Sequence, residues 1–185
     1  MAALNVMDGL PVADDQLPLV RAAIGPRNIP TAPVKEAYFL VGRRGGKSTT
    51  VADIAVHAAA FADTSVLTAG EVGYVAVVAN DRRQAGIILE GCRARLRLSP
   101  ILKSMVESDL AEEIRLTNQT AIRVFTCSTA TVRGFTMLLA IAEESSFWRV
   151  EGRDPGAEIV RSLEPGLITT NGKMVYISST YFKHI

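Results

Sequence analysis

Cysteine is scarce in this chain: Cys92 and Cys127 are the only two, far apart and outside any CxxC spacing. A disulfide framework is therefore not suggested, and the chain reads as cytosolic and reduced. An excess of charge of one sign is missing as well. Twenty basic and 19 acidic residues leave a formal charge of +1, so no global field draws the chain onto nucleic acid or an anionic membrane, and any DNA contact must be local. No apolar run reaches the roughly 18 residues of a membrane span. The N-terminus, with Asp8, Asp14 and Asp15 and no early Lys or Arg, does not read as a signal peptide. What is present is 48% hydrophobic content in 185 residues, enough to bury one core and within the size of one domain.

The stretch with the most chemistry in it is Tyr38-Phe-Leu-Val-Gly-Arg-Arg-Gly-Gly-Lys-Ser-Thr49. An apolar run, Tyr38 to Val41, reaches a Gly-rich turn, and Lys47-Ser48 opens a segment of helical composition, Thr49 to Phe61. Strand, loop and helix in that order let successive backbone N–H groups converge on phosphate oxygens at the positive end of a helix. Gly42, Arg43, Arg44, Gly45, Gly46, Lys47, Ser48 and Thr49 are the candidate nucleotide contacts. Lys47 is expected on the β/γ-phosphates, facing solvent when no ligand is bound, and Ser48 is expected to hold Mg²⁺ through its hydroxyl. Val41 stands where the phosphate-loop pattern has its first glycine, with Gly42 one place late. A Gly/Arg-rich surface turn is the alternative.

Residues 1–36 hold five of the eight prolines and one short helical candidate, Gln16 to Ile24. They read as a lead-in segment, and 37–185 as the phosphate-loop domain. Tyr74 to Ala79 is a continuous apolar strand, and Arg82 to Leu98 follows as a helix with apolar residues at helical spacing. Arg93 and Arg97, with Arg83 and Lys103 near them, form the best basic cluster, either a solvated helix face or a DNA track. Glu113 to Thr117 and Ala121 to Thr126 alternate polar and apolar about Asn118-Gln119-Thr120 and predict a peripheral β-hairpin. After a loop, Thr131 to Thr136, the apolar strand Met137 to Ala142 ends in Glu143-Glu144. An acid there can enter a Mg²⁺ shell and the next can polarise an attacking water. Pro155 to Leu163 predicts a helix broken by Pro165-Gly166, and Lys173 to Ser178 predicts a last strand ending in Ser178-Ser179-Thr180.

Taken in order, these stretches resemble the N-terminal ATPase half of a tailed-bacteriophage terminase large subunit. The particular resemblances are Val41-Gly-Arg-Arg-Gly-Gly-Lys-Ser48, Val78-Ala-Asn-Asp-Arg-Arg-Gln-Ala85, Val132-Arg-Gly-Phe-Thr136, Glu144-Ser-Ser-Phe-Trp-Arg149, Glu158-Ile-Val-Arg-Ser-Leu-Glu-Pro-Gly166 and Ile177-Ser-Ser-Thr-Tyr181. Family phosphate loops commonly lack the first glycine and carry an Arg where Arg43 stands. The resemblance implies a three-layer α/β P-loop NTPase with a mainly parallel central sheet, of the catalytic-glutamate branch that inserts an additional strand between the phosphate-loop and acidic strands. It implies ATP and Mg²⁺ as cofactors, with Ser48 and Glu143 on the metal, Glu144 as catalytic base, Arg43 and Arg133 as further catalytic residues, and Ser178, Ser179 and Thr180 as the coupling motif. Arg133 stands where family members place an Arg proposed to reach a neighbour's nucleotide. The implied partners are double-stranded DNA, the portal and the terminase small subunit in a ring-forming homo-oligomer, in the host bacterial cytoplasm and without a membrane. Two departures stand out: Glu143-Glu144 replaces the usual Asp-Glu, and the nuclease half has no positions here. A catalytically inactive prophage remnant and a helicase-type ATPase are the alternatives, the latter disfavoured by Phe147-Trp148-Arg149.

Overall fold

Apolar residues in this chain repeat now every second position, now every third and fourth, and the backbone follows that switching. The computed structural model describes residues 2–42, 44–79, 81–126, 132–144 and 155–179. Its elements are α1 (Ala2–Met7), α2 (Leu17–Ile24), β1 (Glu36–Leu40), α3 (Lys47–Phe61), β2 (Gly73–Ala79), α4 (Arg82–Leu98), α5 (Pro100–Ser104), β3 (Val106–Asp109), β4 (Glu113–Leu116), β5 (Thr120–Thr126), β6 (Met137–Glu143), α6 (Pro155–Thr169) and β7 (Lys173–Ser178).

The chain divides into two compact units, Met1–Ala37 and Tyr38–Ile185. In the first, Leu4, Met7 and Val20 are buried, and Val34 N donates to Met7 O at 2.9 Å. The helix α1 was not expected from so proline-rich a segment; its six residues lie ahead of the first proline. Gly9 follows it at φ +65°, where an added Cβ would stand 2.4 Å from the Ala32 backbone, so only glycine fits.

The second unit carries a seven-stranded sheet in the order β1-β7-β6-β2-β5-β4-β3. The pairs β2/β5, β2/β6 and β6/β7 are parallel, whereas β4/β5 and β3/β4 are antiparallel. The strand β7 lies between β1 and β6, so the additional strand expected between the phosphate-loop and acidic strands is there. Helices α3 and α4 pack against β2 and β5 on one face. On the other, Ile159, Leu163 and Leu167 of α6 join Ala76, Val78, Ala140, Ala142 and Phe125 in one core. The apolar residues of α3 run round most of its circumference, because it is squeezed between sheet and α4. Its alanines allow the close approach: a Cβ on Gly91 of α4 would stand 3.1 Å from Ala52.

Two expectations are corrected. The hairpin is not peripheral as a whole, since β5 lies inside the sheet, in register with β2 from Gly73↔Thr120 to Ala79↔Thr126. Its Arg123 made the strand look half-solvated, but that side chain lies over aromatic rings. Nor does Pro165 break the helix: α6 runs through it to Thr169. The proline frees the carbonyl of Arg161, four residues back, on the exposed side of the helix where water can take it.

Candidate functional site

The glycine turn between β1 and α3 is held at both ends. Val41 N donates to Ser178 O at 3.0 Å, so the loop leaves β1 beside the end of β7. Arg44 and Gly46 take left-handed φ angles of 60° and 82°, and Gly45 N closes a turn onto Gly42 O at 2.9 Å. A Cβ on Gly45 would meet Val41 Cγ1 at 2.8 Å and Gly42 O at 2.9 Å. Gly45 is thus required by crowding and Gly46 by its backbone angle. Gly42, Arg44, Gly45, Gly46 and Thr49 are exposed and Ser48 is half-buried on the first turn of α3. That turn, whose N–H groups have no partner within the helix, is braced from α4. Arg95 pairs with Asp53, its Nη2 donates to Thr49 O at 3.0 Å and its Nη1 to Gly91 O at 2.9 Å.

The acidic residues arrive from β6. Alternation along the strand puts Glu143 on the face of Leu139 and Ile141, opposite Ala140 and Ala142, which belong to the α6 core. That face is the one against α3, and its first helical residue, Lys47, meets Glu143 Oε1 at 3.5 Å. Glu143 is 3% exposed. Burial pushes its carboxyl above the ordinary glutamate value, the Lys47 cation pulls it partly back, and Asp81 pushes it up again. One residue on, Glu144 sits at φ 53°, a left-handed angle that costs a non-glycine residue of order 1 kcal/mol. Its N–H donates to Ile177 O at 2.8 Å. Its carboxylate pairs directly with Lys47. Ser179 Oγ donates to Oε1 at 3.0 Å, while Ser178 Oγ and Ser179 N donate to Oε2, each at 3.3 Å.

Lys47, Glu143, Glu144, Ser178 and Ser179 thus meet at the ends of β7 and β6 and the start of α3. Lys47 also donates to Ser179 Oγ at 3.3 Å. The expectation that Lys47 faces solvent is overturned: its side chain is 15% exposed, turned inward by the two carboxylates. Arg133 does not join this group. It is exposed, on a loop entering β6 at Met137, the opposite end of the strand from Glu143 and about 20 Å away along extended chain. Arg93, the centre of the basic cluster, is a structural link, with Glu90 and Asp109 each at 2.6 Å and a further bond to Leu110 O. Arg43 and Thr180 lie outside the described residues, as does Phe147-Trp148-Arg149. Sequence reasoning gave no role to Arg95 or to Asp81, which caps α4 by accepting from Gln84 N at 2.8 Å and adds its charge beside Glu143. Only its place right after the strand β2 could have marked Asp81. Among the described residues no group of three or more His, Cys, Asp or Glu is set to hold a metal.

A strand, glycine turn and helix start facing an acid-tipped strand across one inserted strand is the arrangement of P-loop NTPases. No protein-family model and no curated protein sequence matches the chain. Among solved structures, the HK97 bacteriophage large terminase matches 92% of this chain over 33% of its own length, with a TM-score of 0.61 and 18% identity. An arginine-to-alanine variant of the Thermus phage P74-26 large terminase ATPase domain matches 100% of this chain and 72% of its own, at 0.60 and 17% identity. The same phage's ATPase domain in a second structure matches 99% and 71%, at 0.57 and 18% identity. The chain spans about a third of the HK97 protein's length. Its fold is that of phage large terminase ATPase domains.

Proposed function

We propose that this chain is the ATPase domain of a phage terminase large subunit, hydrolysing ATP to drive double-stranded DNA into a capsid. The observation that carries this reading is the convergence of Lys47, Glu143, Glu144 and Ser179 at the mouth of a glycine turn and a helix N-terminus. Phosphate oxygens entering there compete with Glu144 for the Lys47 ammonium, to which backbone N–H groups and the helix end add positive potential. Relieved of that ion pair, Glu144 keeps the donors on Oε2 from Ser178 and Ser179, which fix its direction while Oε1 accepts a proton from the attacking water. The Ser48 hydroxyl and Glu143 carboxylate are hard oxygen donors of the kind Mg²⁺ takes, and Mg²⁺ needs no more than one or two carboxylates from a protein. Bound there, the ion would neutralise charge on the transferred phosphoryl group. Arg43 and Thr180 complete the proposed set, as a further catalytic residue and the last residue of the coupling motif.

Arg133 is proposed to act in trans. A guanidinium at the end of β6 away from its own Glu143 suits a neighbouring copy's γ-phosphate, where such a cation is worth ~10³ to 10⁵ in rate. A ring of copies follows, with the portal and small subunit as proposed partners and the host cytoplasm as proposed location. Among the described residues no helix is long and apolar enough to cross a membrane. The test is Mg²⁺-dependent ATP hydrolysis, with and without double-stranded DNA, by the chain and its Glu144→Gln variant. Turnover that the variant loses while keeping nucleotide binding is the expected result, and turnover unchanged in the variant would overturn the reading. A nucleotide binder without turnover is the second reading. It is favoured by Glu143, one methylene longer than the family's aspartate, and predicts binding with no hydrolysis in either protein.

A further inference from the structure

The loop Val132 to Thr136 is fastened along its length except at Arg133 and Gly134. Val132 is 1% exposed within the α6-side core. At the other end, the Thr136 hydroxyl donates to Glu71 and its carbonyl accepts from Tyr74 N at 2.8 Å. Between them the Phe135 ring stands edge-on to Tyr74 (centroids 4.9 Å, 81°) and to Phe125 (5.1 Å, 69°). The Arg123 guanidinium covers both phenylalanines, 5.1 Å from the Phe135 centroid and 5.3 Å from that of Phe125. Arg123 is itself aimed: Glu113, its cross-strand partner on β4, is buried and accepts from Nη1 at 3.2 Å. Behind the loop, α6 comes so close at Gly166 that a Cβ there would stand 2.3 Å from Phe135 O. Gly134, at φ +82°, turns the chain at the tip, and both tip residues are exposed.

Edge-on aromatic pairs and a covering cation are both held by the electrostatics of the ring faces and edges. Their placement matters more here than their strength. A side chain that must meet a reacting group on another molecule has to be held within about half an ångström, and a loop achieves that only if its base is locked by packing. Every fastening named above bears on the residues flanking Arg133, and none covers it.

We infer that Phe135 and Arg123 are positioning residues that set Arg133 for the active site of a neighbouring copy, with Glu113 aiming Arg123. The inference rests on the reading that Arg133 acts in trans on ATP hydrolysis. Arg123 thereby has a function that its place in an internal strand conceals, and the hairpin that carries it becomes part of the catalytic apparatus of the next subunit.

The experiment uses the full chain at concentrations where its specific activity has stopped rising. Phe135→Leu keeps apolar volume without the ring, Phe135→Tyr keeps the ring, and Arg123→Met keeps the covering stem without the cation. Phe135→Leu and Arg123→Met are expected to lower kcat by about 10- to 100-fold, the scale of an ångström's misplacement, with KM for ATP and nucleotide affinity within about twofold of the parent. Phe135→Tyr should restore most of the loss. Adding Arg133→Ala to either should cost nothing further, because the residue being positioned is gone. Mixed with Glu144→Gln, which can supply only an arginine, each variant retains its own base and should gain activity as the parent's sites do, whereas as the arginine donor it should rescue Arg133→Ala poorly. If Arg133→Ala itself leaves kcat unchanged, the in-trans reading fails. If Arg133→Ala lowers kcat but Phe135→Leu and Arg123→Met do not, or their losses multiply with it, the positioning role is overturned while the in-trans reading stands. Should Phe135→Leu not fold, Arg123→Met against Phe135→Tyr decides between the same outcomes.

Discussion

Two regions at opposite ends of β6 treat charge in opposite ways. At its C-terminal end, Lys47, Glu143 and Glu144 are turned inward on one another, with the lysine side chain 15% exposed and two serines bonded to Glu144. At its N-terminal end the packing is aromatic and the charge at the tip, Arg133, is left outside. The first arrangement satisfies its charges within one chain and must be opened by something that binds Lys47 better than a carboxylate does. The second leaves a cation in water on a fixed base, available to another molecule. The difference teaches that one end of β6 keeps its charges closed on one another while the other end offers its charge open to solvent.

The largest effect should come from breaking the closed region. Lys47→Ala removes the proposed phosphate contact, so ATP hydrolysis should fall to background. It also takes the cation away from two carboxylates, one of them 3% exposed. Loss of one partner from such a buried set costs about 3 kcal/mol. A denaturant midpoint unchanged from the parent would show that Lys47 is not held inward. The open region has its counterpart in Gly166→Ala, whose methyl group would press on Phe135 O. Overpacking of this kind costs about 2 kcal/mol, and kcat should fall with nucleotide affinity unchanged. If affinity falls as well, the two regions are not separable.

The closed region was largely legible from sequence, because it is assembled from strand ends whose residues follow one another: Lys47-Ser48 after glycines, Glu143-Glu144 after an apolar run, Ser178-Ser179 after another. What sequence could not give was the inward turn of Lys47, which depends on which face of β6 carries Glu143 and on β7 being only one strand wide. The open region was hardly legible. Arg123 lies in an alternating run that reads as a half-wet strand, and nothing local says that its guanidinium covers Phe135 twelve residues later. Pro165 misled for a related reason: whether a proline ends a helix depends on what can take the freed carbonyl, here water on the exposed face of α6.

The smallest effects sharpen the comparison through pH, because one glutamate in each region is shifted, and in opposite directions. Burial raises Glu143 above its ordinary value of 4.5, despite Lys47. The fold therefore favours its neutral form, and its contribution to stability is full below about 4.5 and lost as pH rises through the raised value. The Thr136 hydroxyl, helped by the N–H and hydroxyl of Thr68, lowers Glu71. Its contribution is present above the ordinary value and lost as pH falls through the lowered one. Unfolding midpoints measured across this range without nucleotide or metal should separate the two. Relative to the parent, Glu143→Gln should gain stability as pH rises, and Glu71→Gln should lose its disadvantage as pH falls. Glu71 is solvent-accessible, so its effect should be the weaker and should fade with added salt. A Glu143→Gln difference that grows toward acid pH would mean that Lys47 outweighs burial, and that the closed region is held by its ion pairs more strongly than its depth in the protein opposes them.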